Sequence, residues 1–399
     1  MLINYRYNKF LPITKSIGGT TETAEEHVHF SFGYPSTESF PLQALAQSST
    51  TAILRDGRDS LHYSGGSGLA KVKEWIATKS EKVGISPNTQ QILITAGASQ
   101  GLDLAARVLL NEGEEAWVEA PSFFSAIRAF KLAGGVIRAF PIDQDGLRVD
   151  ALEEALAQSL RNDEPLPKFV YTMPNYHNPG GINLSLERRV KLAQLAEQYG
   201  FYVLEDDAYG DLNYTDEQLP SIYSLIPNQT IYLGTFSKII GPGLRVGWVI
   251  ANEEVIDKMQ VTQLGTSNNP FTQQLISQFI EENSLEEHIE QLKLRYRHSR
   301  DVMVRALQEQ FGENITFEIP KGGFFIWVTF QGEFEADLYT EIAFEYGVSI
   351  VSGTAFYEGT GGENQVRLCF SYSSEEQIKR GVEKLAKAYE TLKLKGGKQ

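Results

Sequence analysis

The sequence predicts an α/β fold: a large domain with a mostly parallel, seven-stranded sheet covered by helices, plus a smaller α+β domain. Between Gln91 and Ala251, short apolar, β-prone runs alternate with stretches of helical period. After Asn252 the pattern turns long and helical, and the charged stretch Leu285 to Phe311 is long enough to link two lobes. Short strand-like runs return from Ile315 to Ser371.

Residues 1 to about 28 are mixed and weakly periodic, and an arm or short helix is expected there. His29 to Phe32 alternates like a short strand and runs into the turn Gly33-Tyr34-Pro35. Phe40 to Leu54 has a helical pattern. The glycine-rich loop Leu61 to Gly68 precedes a helix over Ala70 to Ser80. That loop lacks the Gly-Lys-Ser/Thr ending of a P-loop and follows no clear strand, which argues against a nucleotide site. Buried strands are expected at Ile92 to Thr95, Ala116 to Glu119, Val136 to Pro141, Phe169 to Met173, Phe201 to Glu205, Thr230 to Leu233 and Val246 to Ala251. Helices fall between most of them, as at Gly101 to Leu110 and Leu186 to Tyr199. Helices follow at Glu253 to Gly265, Phe271 to Asn283 and Leu285 to Phe311. Strands at Ile315 to Ile319, Gly323 to Phe330, Val348 to Val351 and Val366 to Ser371 belong to the smaller domain, and Ser374 to Leu392 closes the chain as a helix. No internal repeat or low-complexity segment interrupts this plan.

Composition excludes several classes. With 36 basic and 51 acidic residues the net charge is −15, which argues against nucleic acid or an anionic membrane as a main partner. Cys369 is the only cysteine, so no intramolecular disulfide forms, as suits a reducing cytoplasm. The first residues carry no apolar signal-peptide core, and no uncharged run approaches the ~20 residues of a membrane span.

The chemistry centres on Tyr232-Leu233-Gly234-Thr235-Phe236-Ser237-Lys238, with Gly243-Leu244-Arg245 beyond it. An apolar strand ends in small hydroxyl residues and a single lysine, although an ammonium resists burial. An imine to an aldehyde cofactor accommodates such an amine, and pyridoxal phosphate is the common one; the alternative is a plain strand cap on the surface. Arg245, behind a Gly-Pro-Gly turn, suits the cofactor's phosphate. Ala96-Gly97-Ala98-Ser99-Gln100 joins a strand to a helix and forms an anion cradle at the helix N-terminus. Asp206, at the end of an apolar strand, suits the pyridine nitrogen, which works as part of an electron sink only while protonated. The run Glu205-Asp206-Asp207 also fits a solvated acidic turn, and a metal cluster less well, since no His or Cys stands nearby. Tyr209 and Asn178 suit the phenolic oxygen, against packing and turn roles respectively. His177 is a minor candidate for a proton relay. Phe123 suits stacking on the ring, against plain core. Arg367 stands alone in an apolar strand and needs an anion, either a substrate carboxylate or an internal salt bridge.

Together these residues resemble the fold-type I pyridoxal-phosphate-dependent aminotransferases of class I/II, nearest to the 2-aminoadipate-type enzymes and the aminotransferase-like half of MocR-type regulators. The resemblance runs from about Phe30 to the C-terminal helix. Its motifs stand in the family's order: the Tyr63 loop, Thr95-x-Gly-x-Ser-Gln100, Pro121-Ser122-Phe123, Asn178-Pro179, Asp206-x-x-Tyr209, Thr235-x-x-Lys238, Gly243-Leu244-Arg245 and Arg367. The resemblance implies that Lys238 holds the cofactor and moves the proton, with Asp206 on the ring nitrogen and Asn178 and Tyr209 on the phenolic oxygen. It implies that Ser99, Gln100, Thr235 or Ser237, and Arg245 hold the phosphate, that Phe123 stacks on the ring, and that Arg367 binds the substrate's α-carboxylate. It also implies a homodimer with shared active sites, in which Tyr63 reaches the neighbouring subunit's phosphate. The family's Asn-Pro-Thr-Gly reads Asn178-Pro179-Gly180-Gly181, its Leu-Arg pair reads Val72-Lys73, and its usual Tyr or Trp stacking residue is Phe. Its Gly-Gly reads Gly33-Tyr34, in the substrate-facing N-terminal segment.

The expected domains are an arm and part of the small domain at 1–40, a large cofactor-binding domain at 41–283 and a small C-terminal domain at 284–399. The expected reaction is ping-pong transfer of an amino group from an L-amino acid to a 2-oxo acid, with 2-oxoglutarate as the expected acceptor. The alternatives are another reaction of the same cofactor (β-lyase, decarboxylase or a specialised biosynthetic step) and a cofactor-binding sensor. Too few residues precede His29 for a DNA-binding domain of ordinary size. Arg55, Arg58, Arg128 and Arg138 are equal candidates for a substrate's side-chain carboxylate.

Overall fold

The computed structural model describes residues 9–11, 26–63, 65–264 and 269–396. The expected N-terminal arm therefore lies largely outside the described residues, as does the last residue of the expected helix Glu253 to Gly265.

Eight strands form the main sheet, in the spatial order Ile92–Thr95, Gly247–Ile250, Thr230–Thr235, Tyr202–Asp206, Phe169–Thr172, Glu115–Ala120, Val136–Asp143 and Gly146–Leu147. From Thr230–Thr235 to Val136–Asp143 neighbouring strands run parallel, and the outer pairings are antiparallel. The strand beyond the anticipated set, Gly146–Leu147, is a two-residue return of a hairpin, too short to carry an alternating pattern. Besides that hairpin return, four of the strands are buried along their whole length, so they read as continuous apolar runs.

Helices cover the sheet as their sequences dictate. Leu186–Tyr199 is capped by the Ser185 side chain and stops at Gly200, which sits at φ 77°, the left-handed conformation that favours glycine. Ala98–Leu109 buries Leu102, Leu104, Ala105 and Ala106 on one face, each buried leucine contributing about 1.5–3 kcal/mol. Gly101 lets this helix lie close on the sheet: a Cβ there would come within 2.5 Å of Leu233 Cδ2.

The long helix Leu285–Phe311 packs against the last helix, Glu375–Gly396. Beside them stands an antiparallel sheet in the order Ile315–Thr316, Phe325–Phe330, Gln365–Cys369 and Val351–Ser352. The early strand is shorter than expected, Val28–His29, and pairs in parallel with Val348–Ser349. Backbone bonds from Phe30 N to Ser349 O (2.8 Å) and from Cys369 N to Phe30 O (2.8 Å) continue the attachment. The Ser371 hydroxyl then donates to Tyr34 O at 2.7 Å. Residues 28–34 are thus laid across to the main sheet's carboxyl edge, where ligands of α/β sheets bind.

Candidate active site

A cavity of about 560 Å³ opens at that edge, lined from five directions. The main sheet contributes Asp206, Thr235, Ser237, Lys238 and Arg245, and the helix starting at Ala98 contributes Ser99. The loops after Ala120 and Thr172 bring Phe123 and Asn178. The N-terminal segment brings Gly33, and the antiparallel sheet brings Phe325 and Arg367.

Lys238 follows the buried strand Thr230–Thr235, and Phe236 N donates to Val246 O, which holds the chain in place there. The lysine Nζ donates to Gly33 O at 2.7 Å and lies 5.6 Å over the Tyr209 ring. It is not a surface strand cap. Burial first of all, with Arg367 adding to it, pushes the amine down to about 8. Gly33 has no room for a side chain, since a Cβ would meet Phe325 Cζ at 2.9 Å.

The three consecutive carboxylates go to three places. Glu205 is fully buried and accepts from Ile222 N (2.9 Å) and Tyr223 N (2.8 Å). Asp207 accepts from Asn175 Nδ2 (2.8 Å) and from the Tyr232 hydroxyl (2.7 Å). Asp206 faces the cavity. Its Oδ2 accepts from the Tyr171 hydroxyl at 2.9 Å, while its Oδ1 is buried with no partner among the described residues. Burial pushes Asp206 up to about 7, and the Tyr171 hydrogen bond works against that rise. The solvated acidic turn is thereby ruled out.

Arg367 is 4% exposed. Its Nη1 donates to Asn178 Oδ1 (2.9 Å) and its Nη2 to Ser31 O (2.6 Å), and its Nε is buried without a partner. The guanidinium lies 4.3 Å over Phe325 and 5.0 Å over Phe356. Among the described residues no carboxylate pairs with it, so the internal salt bridge is not what holds it. Asn178 lines the cavity, and its side-chain oxygen is taken by Arg367. Tyr209 is buried, edge-on to Phe324 and Phe325 at 5.4 and 5.6 Å.

The anion cradle forms at the start of Ala98–Leu109, with Ser99 exposed in the first turn. Arg245 lies across the preceding turn, its Nη2 donating to Ala96 O at 2.8 Å. Gly97 makes that possible: a Cβ there would sit 2.7 Å from Arg245 Nη2, and its φ of +83° suits glycine. Thr235 Oγ1 donates to Ser237 Oγ at 2.9 Å beside it.

Some expected residues stand elsewhere. Gln100 stands off the cavity wall: its Oε1 accepts from Ala96 N at 2.7 Å and its backbone N–H donates to Gly97 O. It closes the turn that shapes the cradle. Tyr63 is 84% exposed and away from this chain's own cavity. His177 turns inward: Nδ1 accepts from Gly180 N at 3.1 Å, and Nε2 lies 3.0 Å from Glu119 Oε2 but out of line for a hydrogen bond. It takes no place on the cavity wall. Nor do Arg55, Arg58, Arg128 and Arg138. Arg55 pairs with Asp56 and Glu281, and Arg138 lies 4.9 Å over Trp117.

Sequence reasoning missed Tyr171, the carbonyls of Ser31 and Gly33, and the rings of Phe325 and Phe356 that enclose Arg367. For Tyr171 a signal existed, because a tyrosine inside a fully apolar strand needs a partner for its hydroxyl. The carbonyls leave no side-chain signature.

These residues fit pyridoxal phosphate. Asp206 Oδ1 is a buried acceptor awaiting an N–H, Lys238 is an amine of depressed basicity, and the cradle offers a helix N-terminus, hydroxyls and a guanidinium to an anion.

Comparison with known proteins agrees. The family model for aminotransferase class I and II matches residues 26–385. An aromatic-amino-acid aminotransferase of Thermococcus litoralis is 34% identical over 368 residues, covering 90% of this chain and 87% of its own. The crystal structure of a multiple-substrate aminotransferase from Thermococcus profundus superposes with a TM-score of 0.90 at 32% identity, over 98% of both chains. An α-aminoadipate aminotransferase from Thermus thermophilus, complexed with N-(5'-phosphopyridoxyl)-L-leucine, gives 0.84 at 33% identity, over 93% of this chain and 94% of that one.

Proposed function

The chain belongs to the aminotransferase class I and II family and is a pyridoxal-phosphate-dependent aminotransferase; from that premise we propose how its own residues divide the work. A bound pyridoxal phosphate supplies an aldehyde that takes the amino group and a ring that takes up the electron pair left when the substrate's Cα–H bond breaks. Lys238 holds the aldehyde at rest and, once released as a free amine, carries the α-proton on Nζ. Its basicity supports this: with a pKa of about 8, Nζ is neutral in roughly a tenth of molecules one pH unit lower, far more often than an ordinary lysine.

Asp206 Oδ1 accepts the N–H of the ring nitrogen and keeps it protonated. Asn178 Nδ2 and Tyr209 Oη bond the phenolic oxygen. Ser99, Thr235, Ser237 and Arg245 hold the phosphate, and Phe123 covers the ring face. Arg367 takes the substrate's α-carboxylate with the donor it has to spare, Nε, and whatever its two terminal nitrogens can add. Gly33 offers its carbonyl to the resting lysine. The observation that carries this assignment is the placing of Asp206 Oδ1 and Arg367 Nε, both buried and unpartnered, in residues on the same cavity wall as Lys238.

For the substrates, the proposal is an amino donor with an aromatic or long apolar side chain and 2-oxoglutarate as acceptor. Phe32, Tyr34, Phe123, Phe124 and Phe325 line the cavity, and among the described lining residues the guanidinium groups are those of Arg245 and Arg367. The Thermococcus relative named for aromatic amino acids points the same way. The assembly we propose is a homodimer in the cytoplasm, with Tyr63 on the partner subunit's phosphate. The exposure of Tyr63 supports the shared site.

Borohydride reduction followed by peptide mapping tests the central assignment: the reduced cofactor should sit on Lys238, and finding it on another lysine would refute it. A donor screen read out as glutamate formed from 2-oxoglutarate tests the substrates, with phenylalanine and leucine expected to outrun aspartate. Refolding Tyr63→Glu with Lys238→Ala should restore about a quarter of wild-type activity, because random pairing makes half the dimers mixed, each with one intact site. Mixed dimers that stay inactive would contradict the shared site.

A further inference from the structure

Tyr171 lies in the fully buried strand Phe169–Thr172, beside Tyr202–Asp206 in the sheet. Its ring packs edge-on to Phe130 at 5.4 Å. Its hydroxyl donates to Asp206 Oδ2 at 2.9 Å, with both groups out of solvent. Two other buried tyrosines settle their hydroxyls on backbone, Tyr339 on Leu385 O at 2.8 Å and Tyr214 on Gly323 O, and a third, Tyr232, donates to Asp207, a carboxylate that does not line the cavity. Tyr171 gives its hydroxyl to a carboxylate on the cavity wall instead.

The groups around that carboxylate are few. Asp207 and Glu119 oppose its ionisation and Lys238 favours it. Asp207 is engaged by Asn175 and Tyr232, and Glu119 by the Thr172 hydroxyl (2.6 Å) and Met173 N (2.9 Å). Among the described residues, the Tyr171 hydroxyl is the one hydrogen-bond donor to Asp206. A donor to one carboxylate oxygen does two things. It fixes the plane of the group, and it stabilises the ionised form against the cost of burial.

We propose that Tyr171 is a positioning residue for the cofactor's ring nitrogen: by occupying Oδ2 it holds Oδ1 ready for that nitrogen and keeps Asp206 ionised so that the nitrogen stays protonated. This rests on the assignment of Asp206 to the ring nitrogen. The phenol suits the task, because burial and the charge of Asp206 push its own pKa well up, so that it remains a donor.

The test is cofactor preference. Apo-protein is titrated with pyridoxal phosphate and with its 1-deaza analogue, which carries C–H where the ring nitrogen stands. Tyr171→Phe keeps the ring and its packing and removes the hydroxyl. It should bind pyridoxal phosphate about ten-fold more weakly while binding the deaza analogue as wild type does. The pH at which the bound cofactor's visible absorption changes should shift as well. Equal loss for both ligands, or for neither, overturns the proposal. Should the phenylalanine variant fail to fold, 3-fluorotyrosine placed at 171 keeps the hydroxyl and makes it a stronger donor. The preference should then move the other way, and no movement overturns the idea. Asp206→Asn is run alongside. If it leaves the preference untouched, the assignment of Asp206 itself falls, and the proposal with it. If it abolishes the preference while Tyr171→Phe does not, only the role of Tyr171 falls.

Discussion

Two buried arginines, Arg189 and Arg367, make opposite use of burial. Arg189 is fully buried, and each of its nitrogens has a partner. Nε donates to Leu184 O, Nη1 to Pro220 O, and Nη2 to Pro174 O and Asn175 Oδ1, all at 2.6–2.9 Å. Arg367 is equally out of solvent but keeps an unpartnered Nε beside a cavity. Neighbouring carboxylates repeat the contrast: Glu205 has both oxygens bonded to backbone N–H groups, and Asp206 has one oxygen left over. An unsatisfied buried polar atom is costly. In these two pairs the saturated member lies off the cavity and the member with the deficit lines it.

The strongest way to break this comparison is to remove the saturated cation. Arg189→Met strips partners from several carbonyls and leaves Glu205 and Asp207 without the positive charge they face, so a loss of about 3–5 kcal/mol in urea unfolding is expected. The protein that does fold should keep kcat/KM within a few-fold of wild type. A large kinetic defect with unchanged stability would reverse the roles of the two arginines.

Arg367→Lys is the counterpart. It keeps the charge and loses the planar fork, so kcat/KM for amino and oxo acids should fall by about 2–3 kcal/mol, with cofactor absorption unchanged. Stability should hardly move. Primary amines without a carboxylate should be spared, and an equal penalty on them would mark Arg367 as structural.

The carboxylate pair sharpens the comparison with a smaller effect. Both groups are raised to about 7 by burial, so each favours the folded state fully at pH below about 4, and that contribution is lost as pH rises through 7. In apo-protein above pH 7, Asp206→Asn should therefore be stabilising by about 1–2 kcal/mol, because it removes a buried charge with an unpartnered oxygen. Glu205→Gln should destabilise by about as much, since an amide can accept at only one of the two positions now bonded. Each variant removes one raised carboxyl and keeps the other, so between pH 5 and pH 8 both melting curves should fall less steeply than wild type and run parallel, with Asp206→Asn above Glu205→Gln; coincident curves would remove the distinction.

Much of the site was legible because its side chains break a local rule. Lys238 follows an apolar strand, Arg367 interrupts one, and Gly97 marks a turn that admits no side chain. The saturated groups were not legible. Leu186-Glu187-Arg188-Arg189 reads as the charged start of a solvated helix, and what buries Arg189 comes from residues 174, 175, 184 and 220, which only the fold brings together. Nor was it legible that the Gln100 side-chain oxygen closes on Ala96 N within the turn. The strand boundaries near residues 28, 315 and 351 shifted because those strands are two residues long and take their pairing from distant partners.

The extended segment 31–34 carries two kinds of information on alternate positions. Ser31 and Gly33 give backbone carbonyls to Arg367 and Lys238, while Phe32 and Tyr34, also in the cavity lining, carry rings. A carbonyl is the same whatever residue bears it, but a ring is not. Selection can therefore rewrite positions 32 and 34 and leave the grip on the lysine and the arginine in place. On the proposed function, the part of the site that can drift toward new substrates is interleaved, within four consecutive residues, with the part that cannot.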